Sequence, residues 1–203
     1  ISDVHLGTFF SPSDLDALLT RIAGNAKKPD LLAVTGDLFD DVEMNPEAVR
    51  ILDVHVGDYP DGIWYVLGNH EHFRGAQKIL AMLKETKAHV LVNAAARIKG
   101  RELWIAGVDY PMDRPHFDAQ RTAFAEKTLG GIPEGAPTVL LAHHPEFIDE
   151  AAKRDIALTL TGHTHGSQFG ILGQPLFPVF KYTRGMVRIG ENYGYVHTGN
   201  GSW

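Results

Sequence analysis

The sequence predicts one layered α/β domain: two mixed β-sheets flanked by helices, with polar residues gathered at the C-terminal ends of the strands. Short apolar runs of strand length alternate with stretches whose apolar residues recur at helical spacing. The middle of the chain turns to closely spaced short strands with hairpin signals. A length of 203 residues with 44% hydrophobic content suits one substantial core and is short for two, so residues 1–203 read as one domain.

Taken in order, "SPSDLDALLTRIAGN" places Leu15, Leu18, Leu19 and Ile22 on one helical face, with Ser13 as the expected N-cap and Gly24 near the stop. "DLLAVTGD" is a short continuous apolar run, suited to a strand covered on both faces. Asn45 and Pro46 open a second helix running to about Gly57. "GIWYVLGNHE" supplies another buried strand, and Gly75 to Thr86 reads as a third helix. "HVLVN", "ARIK" and "ELWIAGVD" are short strands with a hairpin turn at Gly100-Arg101. A helix over Asp118 to Leu129, the strand "PTVLLAHHP", a helix near Glu146 to Lys153 and the strand "IALTLTGHTH" follow. Gly185 to Thr198 reads as a final hairpin turning at Glu191-Asn192, and no repeat or linker divides the chain.

Composition narrows the function classes. The formal charge is -6 and Lys and Arg are scattered, which disfavours nucleic acid as a partner. With no cysteine, any metal must be held by histidine, carboxylate or amide. Apolar runs such as Ile63 to Leu67 and Val139 to Ala142 fall far below the ~20 residues of a membrane-spanning helix. Ile1 leads almost directly into "SDVH" and Trp203 follows "GNGS" abruptly, so truncation at both ends is expected, with room outside for a leader peptide, a membrane helix or a last strand.

Each apolar strand stops at polar residues, where ligand sites gather in open α/β sheets. The set is Asp3 and His5, Asp37, Asn69 and His70, His143, then His163 and His165, with Gly36, Gly68 and Gly162 directly before three of these groups. Singly, each has an ordinary reading as a loop cap, a turn or a hydrogen-bonded histidine. Together they would bury many polar groups without a partner unless a shared ion supplied one. Asp, His and Asn donors without sulfur suit Mn²⁺, Fe²⁺, Zn²⁺ or Co²⁺, and the count suffices for two ions.

In motif order and over nearly the whole chain, Asp3-x-His5, Gly36-Asp37, Gly68-Asn69-His70-Glu71, His143 and Gly162-His163-x-His165 resemble the calcineurin-like metallophosphoesterases. "GHTHGSQ", "KYTRGMVRIG" and "GNGSW" are further similar to a bacterial branch of membrane-associated and secreted phosphodiesterases. The resemblance implies the layered metallophosphoesterase-type fold and a dimetal site at the strand C-terminal ends. One ion would be held by Asp3, His5, Asp37 and His165, the other by Asp37, Asn69, His143 and His163. It implies hydrolysis of phosphodiester or pyrophosphate bonds by a metal-bridging hydroxide, with Asp37 bridging and His70 stabilising the transition state or protonating the leaving oxygen. The substrate is expected to be a small phosphate ester or a lipid-linked one such as a UDP-diacylglucosamine, and the protein to be membrane-associated or exported. A nuclease of the same superfamily and a scaffold without turnover are the alternatives.

Around this set, Glu71 is expected to orient a ligand or His70, or simply to sit at a helix N-terminus. The arginine that Ser/Thr phosphatases of the superfamily carry after Gly-Asp is absent from "GDLFDDVEMN". Arg74 and His72 are candidate phosphate contacts, with an exposed surface arginine the favoured reading of Arg74, and His144 reads as a supporting or surface histidine. "SQFGILGQPLFPVFKY" is either an apolar lip for a lipid substrate, touching a membrane through residues 169–180, or a loop packed on the core.

Overall fold

Strands whose side chains are apolar on both faces need cover on both sides, and the chain provides it in four layers. β1 (Leu32–Thr35) and β2 (Ile63–Val66) pair in parallel, and β3 (His89–Val90) adds to β2 in the same direction. β4 (Ala94–Arg97), β5 (Trp104–Gly107), β6 (Thr138–Leu141), β7 (Leu158–Thr161), β10 (Gly185–Ile189) and β11 (Asn192–Val196) form a second sheet in the order β10-β11-β7-β6-β5-β4. Its two outer pairs, β4 with β5 and β10 with β11, are antiparallel and its inner pairs are parallel. The first sheet is parallel throughout, so only the second is mixed. Two-residue strands β8 (Gly170–Ile171) and β9 (Gln174–Pro175) form a separate ribbon. This computed structural model describes all residues except 8, 167–169, 172–173, 176–179 and 202–203, and the backbone alone of 170–171 and 174–175.

Residues 1–6 run beside the free edge of β1. Thr35 N donates to Ile1 O, Asp3 N to Gly36 O, His5 N to Asp37 O and Leu6 N to Leu38 O, each at 3.0 Å. Between the sheets lie Trp64, Val66, Leu91, Ile105 and Leu141. Helices α1 (Pro12–Ala23), α2 (Asn45–His55) and α4 (Ala76–Leu83) cover the outer face of the first sheet, where Leu15, Leu19, Leu52 and Ile79 meet Val34, Ile63 and Tyr65. Helices α5 (Phe117–Leu129) and α6 (Phe147–Ala152) cover the second through Ala125, Leu129, Phe147 and Ala151 against Ala106 and Leu140. Among the described residues no helix is long and apolar enough to cross a membrane.

Three boundaries differ from expectation. The N-cap of α1 is Ser11, not Ser13: Pro12 occupies the first helical turn, where its missing N–H costs nothing, so the cap lies one residue before it. Ser11 Oγ accepts from Asp14 N, and Asp14 Oδ2 accepts from Ser11 N at 2.9 Å, a reciprocal capping box. The second helix ends as α-helix at His55 and tightens into a 3₁₀ turn over Val56–Asp58. Ahead of α4 stands a short helix α3 (Asn69–Arg74), and Gly75, with φ at 104°, breaks the chain between them.

Ser11→Ala should lower stability by about 1 kcal/mol through loss of the cap, whereas Ser13→Ala should shift it by under about 0.5 kcal/mol. Urea unfolding of both variants checks this, and equal effects would contradict the assignment.

Candidate metal centre

Asp3, His5, Asp37, His70, His143, His163 and His165 form overlapping groups of donors within reach of one another at the C-terminal ends of the strands. The left-handed backbone region holds Asp3 (φ 52°), His5 (φ 50°), Asp37 (φ 53°), His163 (φ 75°) and His165 (φ 48°). Histidine and aspartate enter this region more readily than most residues, yet each instance still costs of order 1 kcal/mol. The alternation explains the arrangement: Val4 and Leu6 are fully buried in the core under α1 and α2, while Asp3 and His5 face the cluster. Likewise Thr164, between the two histidines of "GHTH", is buried and anchors the loop by donating Oγ1–H to Thr183 O at 2.5 Å.

Two triads result. His5 Nε2 lies 3.0 Å from His165 Nε2, and Asp3 Oδ1 lies 3.4 Å from His165 Nε2 and 4.0 Å from His5 Nε2. His143 Nε2 lies 3.0 Å from Asp37 Oδ2 and 3.1 Å from His163 Nδ1. Asp37 Oδ2 is also 3.9 Å from His5 Nε2, which joins the triads. Neighbouring donors bound to one ion at about 2.0–2.2 Å stand roughly 3.0–3.5 Å apart, and most of these separations match. The Asn69 side chain is nearly buried with its Oδ1 accepting no hydrogen bond among the described residues, which suits a ligand. A third donor group, His5, Asp37 and His70, lies within the same reach.

Electrostatics favour cations here. Burial, outweighing the Asp37 and Asp3 charges, pushes His5 down to about 4, and burial with the His143 charge takes His163 well below its usual range. Both imidazoles therefore stay neutral with lone pairs available. Burial opposes charge at His143 too, but Asp37 and Asp3 together push it up to about 10. His143 Nδ1 lies 2.7 Å from Thr35 O, so an N–H donated there leaves Nε2 facing Asp37.

Glu71 is fully buried and holds two strand ends together. Oε2 accepts from Gly68 N at 2.7 Å and Asp37 N at 2.9 Å; Oε1 accepts from Leu38 N at 2.8 Å, Phe39 N at 3.0 Å and Tyr65 Oη at 2.8 Å. Burial and then the Asp37 charge raise its pKa, while these donors pull it down. It orients the Asp37 loop rather than His70. Close approach also explains the glycines: a Cβ on Gly68 would collide with Asp37 Oδ1, and one on Gly162 with Ser2 Oγ and Asp3 Oδ2.

Other candidates fall differently. His70 Nδ1 lies 3.1 Å from Asp40 Oδ1, the same oxygen that accepts from Arg74 Nε at 2.8 Å. Asp40 Oδ2 is 3.5 Å from His5 Nδ1. His72 is tied to Asp109 at 2.8 Å, and buried His144 packs its ring on Phe117, at 4.7 Å between centroids, and on Phe180, at 5.7 Å. Of the apolar stretch, residues 167–169, 172–173 and 176–179, with Phe177 among them, lie outside the described residues; Phe180 packs 5.0 Å from the His163 ring. Sequence reasoning missed Asp40, Tyr110 and Ser2. Asp40 hides in the acidic run "DLFDD", which reads as a solvated loop. Tyr110, whose hydroxyl lies 3.4 Å from His163 Nε2, follows the end of β5 and carried the same strand-end signal as the others. Ser2 Oγ donates to Asp3 Oδ2 at 2.5 Å, and nothing in the sequence pattern marks it.

The calcineurin-like phosphoesterase profile matches residues 1–167. The chain belongs to that family. An uncharacterized metallophosphoesterase of Campylobacter jejuni is 30% identical across 100% of this chain and 53% of its own length. A bovine protein named as a transmembrane protein with a metallophosphoesterase domain is 29% identical over 98% of the chain and 47% of its own length. The chain thus spans about half the length of the curated relatives it matches. Among solved structures, the NAD nucleotidase of Haemophilus influenzae superposes with a TM-score of 0.55 at 20% identity, over 94% of this chain and 39% of that one. The sulfate thiohydrolase SoxB of Thermus thermophilus gives 0.55 at 18% identity, over 96% and 39%, and the likeness of both is one of fold. The donor set fits the divalent ions that calcineurin-like phosphoesterases imply.

Glu71→Gln should cost about 3 kcal/mol of stability, because an amide cannot accept from all five donors and turns its NH₂ against backbone N–H groups. Metal content should fall with it. Wild-type unfolding and metal stoichiometry in this variant would remove Glu71 from its role.

Proposed function

We propose that this chain is the catalytic domain of a metal-dependent hydrolase of phosphodiester or pyrophosphate bonds. The observation that carries this reading is the pair of donor triads, Asp3–His5–His165 and Asp37–His143–His163, meeting within reach of one carboxylate, Asp37. In this reading one divalent ion takes Asp3, His5, Asp37 and His165, and the other takes Asp37, Asn69, His143 and His163. Mn²⁺, Fe²⁺, Zn²⁺ or Co²⁺ suits these donors. Two such ions supply a nucleophilic oxygen at neutral pH and draw charge from the phosphoryl group.

The chain's own residues do the rest. His70 N–H donates to Asp37 Oδ1 at 2.9 Å, which holds the start of α3 against the metal loop. The Asp40 carboxylate facing His70 Nδ1 fixes the ring and favours a proton there, leaving Nε2 to hold or release one at the leaving oxygen. Tyr110 steadies His163 from behind, as supporting groups do for metal-ligating imidazoles.

Aromatic groups on the His163 side, Tyr110, Phe117 and Phe180 with neutral His144, support a substrate with an apolar part, including a lipid-linked one. Burial pushes His144 down to about 3, so it presents an uncharged ring there. The bovine relative's name as a transmembrane protein supports a membrane-associated setting for the longer polypeptide.

Elemental analysis of protein purified without chelator should give about two metals per chain, with turnover of a chromogenic phosphodiester under Mn²⁺ or Zn²⁺. Absence of both would refute the hydrolase reading. Asp37→Asn should lose both metal and rate, whereas His70→Gln should keep metal yet slow turnover by ~10²–10⁴-fold. For the aromatic side, Phe180→Ser should reduce turnover of a lipid-linked diester more than that of bis(4-nitrophenyl) phosphate; equal losses would assign Phe180 to packing alone.

A further inference from the structure

Asp109, two residues beyond β5, joins three segments at the end of the fold where the donors gather, yet it belongs to none of the donor groups. Its Oδ1 accepts from His72 Nε2 on α3 and from Tyr110 N, both at 2.8 Å. Its own N–H donates to Asn93 Oδ1 at 2.9 Å. Asn93 stands where the chain crosses from β3 of the first sheet to β4 of the second, with its backbone in the left-handed region at φ 51°. The Asp109 side chain is mostly buried, so these bonds are sheltered from competing water.

The segments that Asp109 joins lead to one triad in particular. The Tyr110 hydroxyl lies 3.4 Å from His163 Nε2, whereas His163 Nδ1 is the atom 3.1 Å from His143 Nε2. The phenol therefore stands at the nitrogen opposite the donor face of that ring. The Tyr110 ring also packs 5.3 Å from the His163 ring and 5.9 Å from the His143 ring, between centroids. Through His72 the same carboxylate holds α3, whose first residue is Asn69. Asn69, His143 and His163 are the ligands assigned above to the second ion besides Asp37. The first triad is braced by other groups: Ser2 Oγ donates to Asp3 Oδ2, and Asp40 Oδ2 lies 3.5 Å from His5 Nδ1.

We propose that Asp109 is a positioning residue for the second ion alone: by fixing Tyr110 against His163 and α3 behind Asn69, it sets how tightly that ion is held. This rests on the two-ion reading above. Groups behind metal-ligating side chains fix their orientation, and their removal weakens metal binding by about 10–100-fold. The role of Asp109 is one of geometry and not of charge. Both bonds to its side chain end on Oδ1, and the amide oxygen of asparagine accepts in the same place.

The test is chelator titration of Mn²⁺-loaded protein, reading the ions retained per chain. In Asp109→Ala and in Tyr110→Phe, one of the two ions should bind about 10-fold or more weakly, while Asp109→Asn stays within about 3-fold of wild type. His165→Ala removes a ligand of the first ion; adding Asp109→Ala there should still weaken the remaining ion by about 10-fold. In a His163→Ala background the same addition should change it by under about 2-fold. Equal weakening of both ions would assign Asp109 to general stability. A loss in Asp109→Asn as large as in Asp109→Ala would assign it to charge, and wild-type affinity in Tyr110→Phe would remove the link to His163. Each of these overturns the proposal, as do fewer than two ions in wild type. Should Asp109→Ala fail to fold, Tyr110→Phe and Asp109→Asn decide by the same criteria. One ion weakened as expected in a protein that turns over no phosphoester would leave the positioning role standing while the hydrolase reading fell.

Discussion

A single buried carboxylate ties the site to the fold. Glu71 accepts from the backbone of Asp37, Leu38, Phe39 and Gly68 and from Tyr65 Oη, so the loop after β1 and the loop after β2 share one anchor. Without it, four N–H groups would be buried without acceptors, each at a cost of about 1–3 kcal/mol. The anchor sets where Asp37 stands, and Asp37 lies within reach of both donor triads. Residues 1–6 follow the same loop through Asp3 N to Gly36 O and His5 N to Asp37 O, so their position depends on Glu71 at one remove.

Around this anchor the backbone is held in conformations it would not choose. Five of the strand-end residues, Asp3, His5, Asp37, His163 and His165, sit in the left-handed region, and five imidazoles crowd two buried carboxylates. Such strain persists only where the surroundings over-determine it. Here Val4 and Leu6 lock one loop into the core, Thr164 pins another to Thr183, and Gly162 lets Ser2 and Asp3 approach the GHTH backbone. Stability is spent on a rigid cluster of donors that divalent cations would hold together.

The surroundings of the cluster are polarised. On one side Asp40 brings together His70, Arg74 and the far edge of His5, a charged and hydrogen-bonding flank. On the other, Tyr110, Phe117, His144 and Phe180 surround His163 with aromatic faces. A substrate with a charged end and an apolar end has one natural orientation in such a site. That polarity comes from the segment before β1 and from the connections after β1, β2, β5, β6, β7 and β9, and no single motif contains it.

The sequence by itself determined the fold class and the strand ends at which the polar side chains gather. Each of these depends on local pattern: apolar runs of strand length, helical periodicity, and polar residues following glycine at the point where a run stops. The family resemblance, not local pattern, separated His163 from His165, which fall in different triads. Local pattern misplaced the cap of α1 by looking past Pro12, and it joined α3 to the loop before Gly75 because a six-residue helix shows too little periodicity to be recognised. Only tertiary structure decided that Glu71 clamps a loop 34 residues away, that Asp40 and Tyr110 stand behind His70 and His163, and that Arg74 shares an oxygen with His70. These are contacts of side chains with groups that other strand ends supply. Which charge faces which imidazole is set when the two sheets stack and bring those ends together, and no stretch of sequence encodes that distance.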